Sequence, residues 1–78
     1  MDINKHKEKI GQALRLERRM RELSQDQVCE MAGVAVSSQR NVEHGRAGLD
    51  LMYAVALALG MDWAQLTAAA WEAGDDSD

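Results

Sequence analysis

The sequence contains no proline, no phenylalanine and only one cysteine among its 78 residues. A single cysteine, Cys29, cannot form an internal disulfide. No histidine or second cysteine stands at a metal-ligand spacing from it, so we expect no metal site and interpret Cys29 as a small core residue. The chain is instead rich in alanine, leucine, arginine and glutamate, a composition that favours helix.

Long apolar runs are also missing. No stretch approaches the roughly 18 consecutive apolar residues that a membrane span needs, and no cleavable apolar leader precedes the first charged residues. We therefore expect a cytoplasmic protein without membrane contact. A chain of 78 residues, 46% of them hydrophobic, suits one domain in which every helix contributes to a single core.

Basic residues are absent after residue 46. All nine lysines and arginines lie in residues 1–46 with seven acids (9 − 7 = +2), whereas residues 47–78 hold six acids and no base (−6). Four of these acids lie in the last seven residues, which predicts a domain over residues 1–71 followed by a disordered acidic tail over residues 72–78. The tail is interpreted as a solvated end, with screening of DNA or partner binding as the alternative. The net charge of −4 therefore does not by itself exclude nucleic acid.

Apolar residues at helical spacing predict two helices in the first half of the chain. Ile10, Ala13, Leu14, Leu16 and Met20 indicate a first helix over residues 5–22 with a basic polar face. A second helix over residues 25–32 follows, with a capping-box pattern at its start, glycine at its end and an inner face made of Val28, Met31 and Ala32.

Three further helices are predicted after that glycine, Gly33. The third covers residues 36–44 and ends at Gly45, and the fourth begins at Leu49 and is stopped by Gly60. Asp62, with Gln65 three positions later, starts a fifth helix that fades after Trp71. No alternating strand pattern competes, so the fold class is all-α.

The spacing of residues in helices two to four resembles the Xre or Cro type of lambda-repressor-like helix-turn-helix domain. The resemblance covers about residues 10–66 and implies a five-helix DNA-binding domain. It is carried by Leu23, Ser24, Gln25, Val28, Cys29, Gly33, Val34, Val42, Glu43 and Gly45, and downstream by Val55, Ala56, Ala58, Leu59, Gly60 and Met61.

This resemblance implies that helix three enters the major groove of double-stranded DNA. It assigns base contacts to Val36, Ser37 and Asn41. Structural roles fall on Gly33, which sets the turn between helices two and three, and on an ion pair between Arg18 and Glu43 that joins helices one and three. Phosphate contacts are expected from Gln25 at the start of helix two and from Ser38, Arg40, His44 and Arg46.

Plainer interpretations stand beside these assignments. Ser37 and Ser38 have the alternative role of capping helix three, because Ala35 at the usual capping position has no side-chain oxygen. Asn41 has the alternative of being a solvated polar residue. Gln39 departs from the family pattern, which buries an apolar residue there, so either Gln39 finds backbone partners or the helix rotates to expose it.

Helix four carries a second apolar stripe where the family generally has charge. On so small a domain such a stripe favours a covering partner, which predicts a homodimer that reads an inverted repeat with two recognition helices about 34 Å apart. The stripe consists of Leu51, Ala54 and Leu57, and Trp63 and Trp71 are assigned to the dimer interface with it. Completion of the monomer's own core is the alternative for either tryptophan.

The resemblance therefore implies a sequence-specific transcriptional regulator, in the first instance a repressor. No paired carboxylates, activated nucleophile or phosphate-binding glycine loop indicates an enzyme, and no cofactor or small-molecule ligand is expected. The alternative is a protein-interaction module or antitoxin of the same fold whose main partner is another protein. The operator sequence and the biological context are not determined by these residues.

Overall fold

A computed structural model of the protein describes the backbone of residues 2–73 and the side chains of residues 2–70. Within this range the chain forms five α-helices and no strands, which confirms the predicted all-α class. The side chain of Trp71 and most of the predicted tail over residues 72–78 lie outside the described residues. The helices are α1 (Ile3–Met20), α2 (Gln25–Ala32), α3 (Val36–Glu43), α4 (Leu49–Ala58) and α5 (Trp63–Ala73).

Polar side chains cap the starts of three helices. The Ser24 hydroxyl accepts from the Gln27 amide N–H at 3.0 Å, and the Gln27 side chain returns a bond to the Ser24 N–H at 2.7 Å. Asp62 and Gln65 make the same reciprocal pair before α5, at 2.7 and 3.0 Å. Asp2 caps α1 through the N–H groups of residues 4 and 5. These bonds satisfy amide donors that a helix start otherwise leaves unpaired.

Three helix ends share one closing geometry, in which the residue after the cap adopts positive φ. The Arg46 N–H donates to the Asn41 carbonyl at 2.7 Å after α3, with Gly45 at φ 75°, and the turn at Gly60 closes α4 in the same way. At the end of α1 the residue with positive φ is Glu22, at φ 58°. Glycine is absent there, which is why the sequence prediction extended this helix to residue 22.

The core forms where α1 packs along α5 and α2 to α4 close over it. Leu16 and Met20 of α1 and Met31 of α2, expected to face inward, are instead more than half exposed. At 3.6 residues per turn, Leu16 and Met20 lie far around the helix from Ile10 and Leu14, which occupy the buried side. The fully buried apolar side chains of the core are Ile10, Leu14, Val28, Val42, Met52, Val55, Ala56, Leu66 and Ala70, with Leu59 almost completely buried.

Gly11 allows α1 and α3 to approach closely. A Cβ atom at Gly11 would lie 2.5 Å from the carbonyl oxygen of Val42 and 2.7 Å from that of Glu43. Only a residue without a side chain fits at such separations. The last turn of α3 is therefore seated directly on the backbone of α1.

The two most apolar helices are α4 and α5. Among the described residues, no single helix is long and apolar enough to cross a membrane. Residues Leu49–Ala58 and Trp63–Ala70 reach that length and hydropathy only when taken together, across a bend of 105°. Both segments contribute side chains to the buried core.

Candidate functional site

The α3 helix has one exposed side and one buried side. Gln39, Val42 and Glu43 are buried. The opposite side contains the side chains that the sequence assigned to base contacts, and all of them are exposed, whereas Ser38 is half-buried at its edge. We define this outward face of α3 as Val36, Ser37, Arg40, Asn41 and His44, the last of which follows directly after the helix.

The polar groups of the outward face are not used inside the described part of the protein. No side chain caps the start of α3 at Ala35, so neither Ser37 nor Ser38 takes the capping role that was their alternative. Arg40 forms no ion pair with any described residue. Arg46, beyond Gly45, is exposed as well, while the neighbouring Ala47 is buried and fixes the loop to the core. These side chains are therefore available to an external partner.

Glu43 holds the buried side of α3 in place. Its Oε2 accepts from Arg18 Nε at 2.6 Å and from Gln39 Nε2 at 2.8 Å. Its Oε1 accepts from Arg18 Nη2 at 3.3 Å and from Gln25 Nε2 at 3.1 Å. The same guanidinium donates to the Leu23 carbonyl at 2.8 Å, in the segment that joins α1 to α2. One carboxylate thus connects α1, α2 and α3.

The surroundings of Glu43 keep it ionised. Burial by itself raises the pKa of a carboxyl group, but hydrogen bonds from Arg18, Gln39 and Gln25 and the charge of Arg18 act in the opposite direction and prevail. The pKa of Glu43 is therefore lower than that of an ordinary glutamate. At neutral pH the carboxylate carries its full charge and accepts all four bonds.

Gln39 takes neither of the two courses predicted for it. It is fully buried, so α3 is not rotated to expose it, and its amide donates to a side chain, Glu43, rather than to the backbone. Its Oε1 has no protein partner, which costs on the order of 1 to 3 kcal/mol. The charged bond to Glu43 offsets part of this cost and holds Gln39 on the buried side of α3.

Gln25 lies at the start of α2 with its side chain half-exposed. One amide N–H is engaged by Glu43, so the side chain is oriented from within the protein. A cavity of about 110 Å³ opens beside it, lined by Gln25, Glu43, Arg15, Arg18 and His44. Arg15 was interpreted from sequence as part of a solvated face. Its place beside Gln25 and His44 depends on how α1 crosses α3, which the sequence pattern does not encode.

The apolar surface of α4 differs in detail from the predicted stripe. Leu51 and Trp63 are half-buried and pack against the core, Ala54 is half-buried, and Leu57 is 53% exposed. Trp63 also meets Tyr53 edge to face, with ring centroids 5.6 Å apart. The side chain of Trp71 lies outside the described residues.

Two exposed residues beside Leu57 were missed in the sequence analysis. Leu49 and Tyr53 precede Leu57 at intervals of four and are 39% and 40% exposed. With Asp50 and Trp63 they line an apolar groove of about 260 Å³. The spacing of four residues between Leu49, Tyr53 and Leu57 was visible in the sequence. The predicted stripe instead followed a spacing of three through Leu51, which packs against the core. We call Leu49, Tyr53, Leu57 and Trp63 the α4 apolar surface.

Among the described residues, no group of three or more histidine, cysteine, aspartate or glutamate side chains is placed to hold a metal ion. Cys29 is buried, and burial raises the pKa of its thiol, with the charges of Asp26 and Glu43 acting in the same direction. The thiol is therefore protonated at neutral pH and behaves as the small core residue expected.

Comparison with protein-family models, with curated proteins and with solved structures finds no match for this chain. Its function is therefore inferred from the outward face of α3 and from the residues that hold this helix in place.

Proposed function

We propose that the chain is a sequence-specific DNA-binding regulator of transcription with a lambda-repressor-like helix-turn-helix made of α2, the turn at Gly33 and α3. The observation that carries this proposal is the division of α3 into a face of free polar side chains and a side fixed by Glu43. We expect a cytoplasmic repressor of the Xre or Cro type that binds an inverted repeat as a homodimer.

The outward face of α3 has the chemistry needed to read base edges. An α-helix fits the major groove, which is about 12 Å wide and presents a distinct pattern of donors and acceptors for each base pair. Asn41 pairs through both ends of its amide with an adenine, Ser37 donates to or accepts from several bases, and Val36 packs on a thymine methyl group. These three positions are expected to set sequence preference.

Basic and hydrogen-bonding side chains around these positions suit contacts with phosphate groups. Arg40, Ser38, His44 and Arg46 flank the reading positions, and Gln25 stands at the positive end of the α2 dipole. Such contacts position a protein on the duplex without selecting its sequence. Because Glu43 fixes both Gln25 and α3, phosphate and base contacts share one rigid support.

The α4 apolar surface is the proposed dimer contact. Burial of exposed apolar surface between two subunits stabilises their association by roughly 25 cal/mol for each Å² removed from water. A two-fold pair of subunits joined there presents two copies of α3 to successive turns of the major groove, about 34 Å apart. Ala54 lies at the margin of this surface, and Leu51 supports it from the core side.

Selection of bound sites from a random pool of double-stranded DNA tests the proposal directly. We expect an enriched sequence with two-fold symmetry and half-site centres about 10 base pairs apart. Recovery of unrelated sequences that bind no better than the starting pool would overturn sequence-specific recognition. A symmetric site is not expected from a chain that binds as a monomer, so the same experiment tests the dimer.

Two substitutions separate base reading from phosphate contact. Asn41→Ala should weaken binding to the selected site by about 1 to 3 kcal/mol and relax preference at one base position. Arg40→Ala should weaken binding to every sequence alike and reduce the dependence of log K on log salt by about one unit. Arg21→Ala serves as the control, because that guanidinium is paired with Glu17 on α1.

A protein-interaction module of the same fold, such as an antitoxin, is the second candidate. It is favoured by the net charge of −4 and by the exposed apolar side chains of α4. Retention on heparin or on random DNA that falls steeply with salt favours the regulator. Absence of retention at low salt favours the protein-interaction module.

A further inference from the structure

The solvent side of α1 carries two parallel rows of side chains. Gln12, Leu16 and Met20 follow one another at intervals of four, and Arg15 and Arg19 form the adjacent row at the same interval. Leu16 is 53% and Met20 is 68% exposed, the latter being the most exposed large hydrophobic residue among those described. A groove of about 210 Å³ runs between the rows, lined by Gln12, Arg15, Leu16 and Arg19. We call these five residues the α1 docking face.

The charges of α1 are only partly satisfied. Four arginines fall between residues 15 and 21, and two of them have carboxylate partners, Arg18 with Glu43 and Arg21 with Glu17. Within the described part of the chain, Arg15 and Arg19 have no ion pair. Like charges four residues apart on a helix destabilise it. A carboxylate supplied from outside the protein would relieve this repulsion.

The α1 docking face is not explained by the proposed DNA contacts. Leu16 and Met20 offer nothing to a phosphate oxygen, and neither residue belongs to the outward face of α3 or to the α4 apolar surface. An apolar row beside a basic row is instead complementary to a helix with the opposite charge. Rows at intervals of four on two helices interlock when the helices pack against each other.

We infer that the α1 docking face binds an acidic, amphipathic helix of a different protein. Apolar residues of that helix pack on Leu16 and Met20, and its carboxylates pair with Arg15 and Arg19. The two apolar side chains give a small buried area, so the contact is weak and reversible, as in transient regulatory complexes. Arg15 borders the cavity beside Gln25 and His44, but none of the residues assigned to DNA contacts belongs to the α1 docking face. This inference therefore does not depend on DNA binding.

The test uses the full chain and two labelled helical peptides in fluorescence anisotropy. Both peptides repeat leucine at intervals of four, one with glutamate in the adjacent row and its twin with lysine there. We expect the glutamate peptide to bind with a micromolar dissociation constant and the lysine peptide to bind at least about tenfold more weakly. Equal binding of both peptides, or no binding of either, overturns the inference.

Substitutions locate the contact. Arg19→Glu should weaken the glutamate peptide about tenfold and strengthen the lysine peptide, and Leu16→Ser should weaken both peptides. Arg21→Glu makes the same change of charge on the same helix, outside the docking face, and should alter either affinity by less than about threefold. Loss of binding in Arg21→Glu equal to that in Arg19→Glu overturns the assignment. Circular dichroism of each variant verifies that its helices are retained.

Three measurements test other occupants of the same surface. Deletion of residues 74–78, which contain three aspartates, should leave peptide affinity within about twofold, whereas a tenfold gain would mean that the chain's own end covers the face. Sedimentation of Leu16→Ser should match the unchanged chain, and a change in its mass would identify a contact between copies. Stronger binding to phosphatidylglycerol vesicles than to the glutamate peptide, lost in Arg19→Glu, would identify a lipid surface instead.

Discussion

Glu43 is the residue on which the first three helices converge. Its side chain is 3% exposed and accepts four bonds from three residues, Arg18 of α1, Gln25 of α2 and Gln39 of α3. A buried carboxylate is tolerated only where such partners compensate for the water it has lost. Removal of one partner therefore costs more than an exposed ion pair would contribute.

Arg18→Ala and Arg21→Ala form a matched pair that measures this difference. Both arginines lie near the end of α1 and bond a glutamate through Nε, at 2.6 and 2.7 Å. We expect Arg18→Ala to lower the free energy of unfolding by about 3 kcal/mol, because it leaves a buried charge without its main partner. Arg21→Ala, at an exposed pair, should lower it by less than about 1 kcal/mol. Urea unfolding followed by circular dichroism gives both values, and equal losses would contradict the buried role of Arg18.

Glu22 occupies a backbone conformation that suits glycine. Its φ of 58° lies in the left-handed region, where a side chain costs roughly 1 kcal/mol. Glu22→Gly should therefore raise the free energy of unfolding by about 0.5 to 1 kcal/mol. Gly33→Ala makes the reverse change at φ 72°, where an added Cβ meets no atom within 4 Å, and should lower it by a similar amount through backbone strain alone. Thermal unfolding of the two variants in parallel is the measurement, and shifts of the same sign would refute it.

These single residues show which local features could be predicted from the sequence. The caps at Ser24 and Asp62 follow from side chains three positions apart, so both helix starts were predictable. The end of α1 at Glu22 was not predictable, because glutamate does not favour the left-handed conformation that it adopts there. The partner of Gln39 was missed for a related reason, since Glu43 lies one turn further along α3 and was assigned only to Arg18.

Among the helices, the pair α1 and α3 is fixed by the closest backbone approach. The hydrogen bonds of Glu43 orient α3, and the absence of a side chain at Gly11 sets its distance from α1. Helix order and the limits of α2 to α4 could be predicted from periodicity and glycine positions, whereas the end of α1 could not. The buried face of each helix could not always be predicted, because Leu16 and Met20 fit the helical period and yet point away from the core.

Gly11→Ala tests the close approach. Alanine favours an isolated helix over glycine by about 1 kcal/mol, yet here the new methyl group would lie 2.5 Å from a carbonyl oxygen of α3. We expect a net loss of about 2 kcal/mol in the free energy of unfolding. Gln12→Ala, at the next and exposed position, should change it by less than about 0.5 kcal/mol. A stabilised Gly11→Ala variant would show that the two helices are further apart.

For the domain taken together, stability should decline in acid through Glu43. Because its folded-state pKa is lowered, its contribution is present at neutral pH and is lost as the pH falls below the ordinary glutamate range, near 4.3, and through the folded-state pKa. We expect the midpoint of urea unfolding to fall steadily below about pH 4.5. Glu43→Gln should start from a lower midpoint and show a flatter profile, whereas Glu17→Gln should keep the steep one. Parallel profiles for Glu43→Gln and the unchanged chain would contradict this origin.

The proposed self-association also belongs to the scale of the complete domain. Leu57 on α4 and Leu16 on α1 are both 53% exposed, which makes them suitable for comparison. We expect Leu57→Glu to shift the chain from dimer to monomer in sedimentation at tens of micromolar, since a charge in an apolar contact is left without water or partner. Leu16→Glu should leave the dimer intact. If only Leu16→Glu dissociates the dimer, the contact between subunits lies on α1 and not on α4.

The two-sided construction of α3 separates the residues that hold the helix in the fold from those that are proposed to contact DNA. Gln39, Val42 and Glu43 anchor the helix, whereas the side chains on its other side make no bond that the described fold requires. Mutations that exchange Val36, Ser37 or Asn41 are therefore nearly free of a folding penalty. Under the proposed function, a lineage carrying this scaffold can change its target by single steps, each passing through a folded intermediate, and an engineer can randomise the same positions with little loss of expressed protein.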